Sequence, residues 1–244
     1  MKTVNHTSAT EMTGSALKRT SRLGFWSAVL TVLCAVSAFA LGITTPPRSG
    51  PFCLSACITY PYTDAAAFVP GDYLWMYPGI LLCLTFFVLM TCIRYYTTEA
   101  DKKLFSQIGL SFALISAALI TMDYFIQLSV IQPSLLKGET EGLSLFSQYN
   151  PHGIFIALED LGYVMMSFAL LFLSAVFVKR ARVEGAIRWL FIVSPVVSIG
   201  ALIGLSLLYG RNLEYRYEVA VLTINWITLI VGGVLLAVLF KQTT

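Results

Sequence analysis

An all-α, multi-pass membrane bundle of six transmembrane helices is the fold class this chain predicts. Three observations carry it: only 12% of the 244 residues are charged, 57% are apolar, and the mean hydropathy is +0.77. A soluble domain carries about 25% charged residues. Half that value excludes a disordered chain and argues against a soluble enzyme. The apolar residues fall in six runs near the roughly 20 residues that a helix needs to cross the hydrocarbon core. These runs cover about 23–43, 73–93, 105–131, 154–178, 189–209 and 219–240. Residues 1–21, rich in Ser and Thr, read as a mobile cytoplasmic tail, and 22–241 as the transmembrane domain.

The first span follows Lys18, Arg19 and Arg22 and ends in small residues, Ala38 and Gly42. Ala38-Phe39-Ala40 resembles a signal-peptide cleavage site, but the apolar run is long for a signal and about 20 residues precede it, so it is read as a retained span. The loop 46–72 follows, with Cys53 and Cys57 close together. In an oxidising outer compartment these two cysteines can form a disulfide that staples the loop. Three residues separate them, which is not the two of a thiol oxidoreductase motif.

The second span carries Pro78-Gly79, a candidate kink. The third carries Gly109, Ala113 and Ala117 at four-residue spacing, which lets helix backbones approach closely in lipid. Ser116, Asp123 and Gln127 share one face of it. Asn150-Pro151 reads as the cap and first residue of the fourth span, on which His152, Glu159, Tyr163 and Met166 line up, with Asp160 turned about 100° away. The fifth span holds Pro195, Gly200 and Gly204; on the sixth, Asn225, Thr228 and Gly232 share a face. Glu218 falls in the short loop 210–218 before it. The small-residue faces serve contacts within the bundle, or a homo-oligomer or membrane partner.

Charge orients the stack. With the N-terminus inside, twelve of the sixteen Lys and Arg residues lie on the inner side, as the positive-inside rule requires. Both termini are then cytoplasmic, and the protein is placed in a plasma (inner) membrane, with the lipid bilayer as its first partner. Tyr60, Tyr62, Tyr73, Trp75 and Tyr77 suit the outer interface, Trp26 and Trp189 the inner one.

The chemistry concentrates in one layer. Asp123, Glu159 and Asp160 lie about 12, 8 and 9 Å below the outer boundary, and Asn225 about 9 Å, at 1.5 Å per residue. Ionisable groups at such depth are costly and are functional by default. The leading expectation is therefore an outward-facing acidic pocket between the third, fourth and sixth spans, partly covered by loop 46–72. It would bind a proton, a cation or a small cationic ligand, as a transporter or transport subunit. Asp123 and Glu159 would carry the charge, with Asp160, Asn225, Gln127 and His152 as accessory groups. The alternative is a non-transporting scaffold or sensor in which a protonated, hydrogen-bonded cluster fixes helix register. An outer-face thiol or metal enzyme ranks third. With two histidines in the chain, a metal site on His152, Glu159 and Asp123 is a weak signal. No nucleotide, haem or hydrolase motif is present, so no cofactor is expected, and no basic stripe suggests nucleic acid.

Overall fold

In the computed structural model, which describes residues 5–97, 99–177 and 181–242, six long helices pack as one bundle. They are α1 (Asn5–Thr44), α2 (Met76–Tyr96), α3 (Ala100–Ile126), α6 (Ile154–Ser174), α7 (Arg182–Tyr209) and α8 (Tyr215–Gln242). Each is long and apolar enough to cross a membrane. Two short helices, α4 (Gln132–Lys137) and α5 (Leu143–Phe146), fold the connection between α3 and α6. The long helices form a ring in the order α1, α2, α3, α6, α7, α8, closed by α8 on α1. Ring neighbours run antiparallel because successive spans cross in opposite directions and their number is even. α6 also touches α8 across the ring, and these two run in the same direction. An even number of crossings brings both termini to one face.

Small residues decide the closest approaches, as their spacing predicts. A Cβ on Gly109 of α3 would meet Leu173 Cγ at 2.8 Å and the Ala169 carbonyl oxygen at 3.1 Å on α6. From the other side, Gly162 of α6 leaves room for Ile120 of α3. Ala113, Ala117 and Ala38 are buried within the bundle, and Gly42 faces Trp226 of α8. Gly200 and Gly204 differ: a Cβ on either would meet nothing within 4 Å, so this pair opens onto the outside of α7.

Several boundaries move. The backbone of residues 5–21, read as a tail, continues α1 as helix. α7 starts at Arg182 rather than near 189, and α6 ends at Ser174 rather than 178, a position outside the described residues. The third span continues past Ile126 as a π-helical turn, Gln127–Ile131, before α4. Pro78 lies in the first turn of α2, where no intrahelical N–H is lost, so it starts the helix and does not kink it. Asn150 is not the cap of α6. Its Oδ1 accepts the His152 N–H (3.0 Å) and its Nδ2 donates to the Ser144 carbonyl (2.8 Å), so the helix begins only after Gly153. Most consequential, α8 begins at Tyr215, which takes Glu218 out of the loop and into the first turn of the helix.

Candidate functional site

Two structures share the end of the bundle away from the termini: a buried acid cluster and an aromatic cavity. Glu159 on α6 is the centre of the cluster and is fully buried (0% exposed); Asp123 on α3 is 3% exposed. Glu159 acts electrostatically on Asp123, on Asp160 and on Glu218. Asp160 belongs to the same field as Asp123 although it is turned around the helix. Among the described residues, no Lys, Arg or His forms an ion pair with any of these four acids. Nor does any group of three or more His, Cys, Asp or Glu side chains among them form a metal cage.

A directional hydrogen-bond chain ends on Glu159. Trp226 Nε1–H on α8 donates to the Tyr163 hydroxyl on α6 (2.7 Å), and Tyr163 lies 3.2 Å from the Tyr124 hydroxyl on α3. Tyr124 donates to Glu159 Oε1. An indole N–H can only donate, and each phenol has one hydrogen. Tyr163 must therefore donate to Tyr124, and Glu159 is the terminal acceptor. Its other oxygen, Oε2, is buried with no N–H or hydroxyl partner, as are Asp123 Oδ2 and Asp160 Oδ1. The Glu218 carboxyl of α8 is its close neighbour. Two carboxyl groups held together away from water cannot both ionise easily and favour sharing a proton.

Glu218 also lines the cavity. This partly open cleft of about 520 Å3 lies between the end of α1, residues 45–52, Tyr149 and α8. Its aromatic walls include Phe39, Trp75 and Trp226; Trp226 is edge-on to Phe39 with centroids 5.9 Å apart and 6.3 Å from Trp75. Two carboxyl groups reach the lining, Asp72 and Glu218. Asp72 is already engaged: Arg48 Nε lies 3.0 Å from its Oδ2, and Tyr149 donates its hydroxyl to the same oxygen at 3.1 Å. The Arg48 guanidinium in turn sits 3.8 Å from the centroid of Phe68. The hydrogen bond to Asp72 holds Arg48 above its ordinary pKa, and burial, with Tyr73 and Asp72 nearby, pushes the Tyr149 phenol up. Ser49 donates to the Tyr149 carbonyl (2.6 Å) and lies 2.8 Å from the Tyr215 hydroxyl, tying the lid segment to α8. Cys53 and Cys57 are disulfide-bonded in the same loop, with Cα atoms 5.8 Å apart.

This cavity lies against α1, the first loop and α8, and Asp123, Glu159 and Asp160 are not among its lining residues. Between α3 and α6, Gly162 packs closely on Ile120, one turn from Asp123 and Glu159. The accessory residues scatter for identifiable reasons. His152 is exposed in the turn before α6, off the helical face that carries Glu159, Tyr163 and Met166. Gln127, buried in the π turn, donates from Nε2 to the Phe146 carbonyl at 2.5 Å and braces α5. Asn225 pairs with Ser167 of α6 (3.2 Å), about 12 Å below Glu159 at 1.5 Å per residue. Thr228 donates to Ser194 of α7 at 2.7 Å. These are helix-to-helix ties. Glu218 is the residue that sequence reasoning assigned to a loop. Its signal was the spacing of seven from Asn225, which extends the polar face of α8 backwards by two turns.

No protein-family model, no curated protein and no solved structure matches this chain.

Proposed function

We propose that this protein is a membrane transporter, or the ligand-binding subunit of one, that takes a small organic cation into the cavity between α1, the first loop and α8. The carrying observation is that Glu218 both lines the cavity and adjoins the buried acid Glu159. A volume of about 520 Å3 is in the range of small-molecule sites. Aromatic faces attract desolvated organic cations, which need no metal-like shell of oxygens. Trp75 and Trp226 supply the faces, and Glu218 is the lining carboxyl that Arg48 leaves free. The ligand class is therefore an alkylammonium-type cation rather than a bare metal ion.

The test uses protein in lipid nanodiscs with Trp26 and Trp189 replaced by Phe, so that Trp75 and Trp226 report. Tetraethylammonium chloride should quench their emission saturably, whereas equal sodium chloride should not. Glu218→Gln should weaken the response by about tenfold or more, the loss of one charge-assisted contact of about 1.5–3 kcal/mol. Identical titrations for the variant and the parent would reject the cation reading and favour a scaffold with a structural polar cluster.

A further inference from the structure

We propose that the Glu218 carboxyl exchanges one proton for one organic cation, so that the cavity works as a cation–proton exchange site; this rests on the cation reading above. The geometry of the empty cavity carries it. Glu159 accepts the Tyr124 hydrogen on Oε1, the last link of a chain that runs from Trp226 through Tyr163 and has only donors behind it. Its remaining oxygen has no N–H or hydroxyl donor, and the Glu218 carboxyl is its neighbour. Two neighbouring carboxyl groups away from water share one proton, and Glu218 is the member that can pass it to the cavity. A neutral Glu218 offers a cation no counter-charge. To pair with one, it must release that proton.

Exchange keeps the charge constant. Before binding, one proton sits between two carboxyl groups, and the pair carries one negative charge. Afterwards the pair carries two, with one cation beside it. The proton leaves from Glu218 into the cavity, because that carboxyl lines it and Glu159 does not. No bond other than this O–H breaks, and nothing is oxidised or reduced.

The surroundings of Glu218 favour holding one positive charge at all times. From α6 it faces Glu159 and Asp160, and from α3 Asp123. Tyr124 and Tyr163 face Glu159 with their hydroxyls already committed, and Cys83 of α2 lies near it. On its own helix Tyr215 is close, bound to Ser49, while Glu214 is paired with Arg216 at 3.4 Å. Across the cavity stand Arg48, Asp72 and Tyr149, whose charges are matched among themselves. The α1 wall contributes Phe39 and Gly42, neither titratable. Three acids with no ion pair among the described residues thus adjoin a fourth, and of these four only Glu218 lines the cavity.

The experiment is calorimetric titration of tetraethylammonium, a permanent cation that carries no proton, into the nanodisc-embedded protein. Buffers of different ionisation enthalpy count protons. Close to one proton should be released per cation bound, and apparent affinity should rise about tenfold per pH unit while Glu218 is protonated. In Glu159→Gln, the amide can donate to Glu218 and no second carboxyl beside it shares its proton. Glu218 is then ionised in the empty cavity, so proton release should vanish and the affinity should become pH-independent. The unmodified protein supplies a second reading, since tetraethylammonium should bleach an infrared band of a protonated carboxyl. Cation binding without proton release, or an unchanged pH slope in Glu159→Gln, overturns the exchange and leaves the cation site standing. Absence of cation binding at every pH overturns both.

Discussion

Glu159 of α6 and Glu218 of α8 bring two carboxyl groups together between two helices that run in the same direction across the ring. One partner is sealed in the bundle and the other reaches a cavity. Such a pair joins a buried field of acids to an open space.

The hydroxyl that supports this pair can be removed alone. Tyr124→Phe takes away the donor to Glu159 Oε1 and leaves Tyr163 with no acceptor. Stability should fall by about 1–3 kcal/mol, the cost of unsatisfied buried groups. Thermal unfolding in detergent would read it. In the Tyr124→Phe, Glu159→Gln double variant the loss should be clearly less than the sum of the two singles. Strict additivity would mean that the two groups do not interact.

The ion pair between Arg48 and Asp72 fastens the first loop over the cavity. Asp72→Asn leaves a partly buried guanidinium without its carboxylate, and should cost about 2–3 kcal/mol in the cap. Helical content should persist, while Thr45→Cys beside the cavity should label faster with a thiol reagent. Tyr149 adds a sign to the pH dependence. Its phenol is held above its ordinary value near 10, so the folded cap retains a proton that the unfolded chain gives up. Its contribution is complete below about pH 10 and is lost as pH rises further. Alkaline acceleration of Thr45→Cys labelling should shrink in a Tyr149→Phe background.

Glycines on different faces should respond differently. Gly109→Val drives a branched side chain into Leu173 and the Ala169 carbonyl, and should cost about 1–3 kcal/mol or prevent folding. Gly200→Val meets open space and should be tolerated by the isolated bundle. Equal losses at the two positions, compared by thermal melting, would contradict the packing described for α3 and α6.

Reduction should act locally. Cutting the Cys53–Cys57 bond frees a loop that carries part of the cavity lid and leaves the six helices intact. Circular dichroism should stay constant while two thiols become alkylatable. Cys83 and Cys92 are buried in α2 and should react only after unfolding. A drop in helicity on reduction would show that the staple supports more than its loop.

Orientation is testable by substituted-cysteine labelling. Sites at Glu139 and Glu214 should react with an impermeant reagent from outside, and sites at Glu99 and Glu184 only after permeabilisation. Labelling of the last two from outside would reverse the charge-based orientation.

Hydrophobic run length and small-residue spacing determined the number of helices and the α3 face that packs on α6, because both effects are local to one helix in lipid. Depth counting likewise brought Asp123, Glu159 and Asp160 to one level, since rise per residue is constant along a helix. It could not say which faces meet. That depends on helix rotation and ring order. Asn225 and Thr228 also lie deeper than the count placed them, because α8 starts at Tyr215, and they meet Ser167 and Ser194 instead of the acids. Two turn-level events were decided by neighbours in space. Asn150 spent its side chain on the turn before α6, and α8 gained a first turn containing Glu218. Glu218 looked like a loop acid because charge near a span end is read as solvated. Only the packing of α6 against α8 gave it Glu159 on one side and the aromatic cavity on the other.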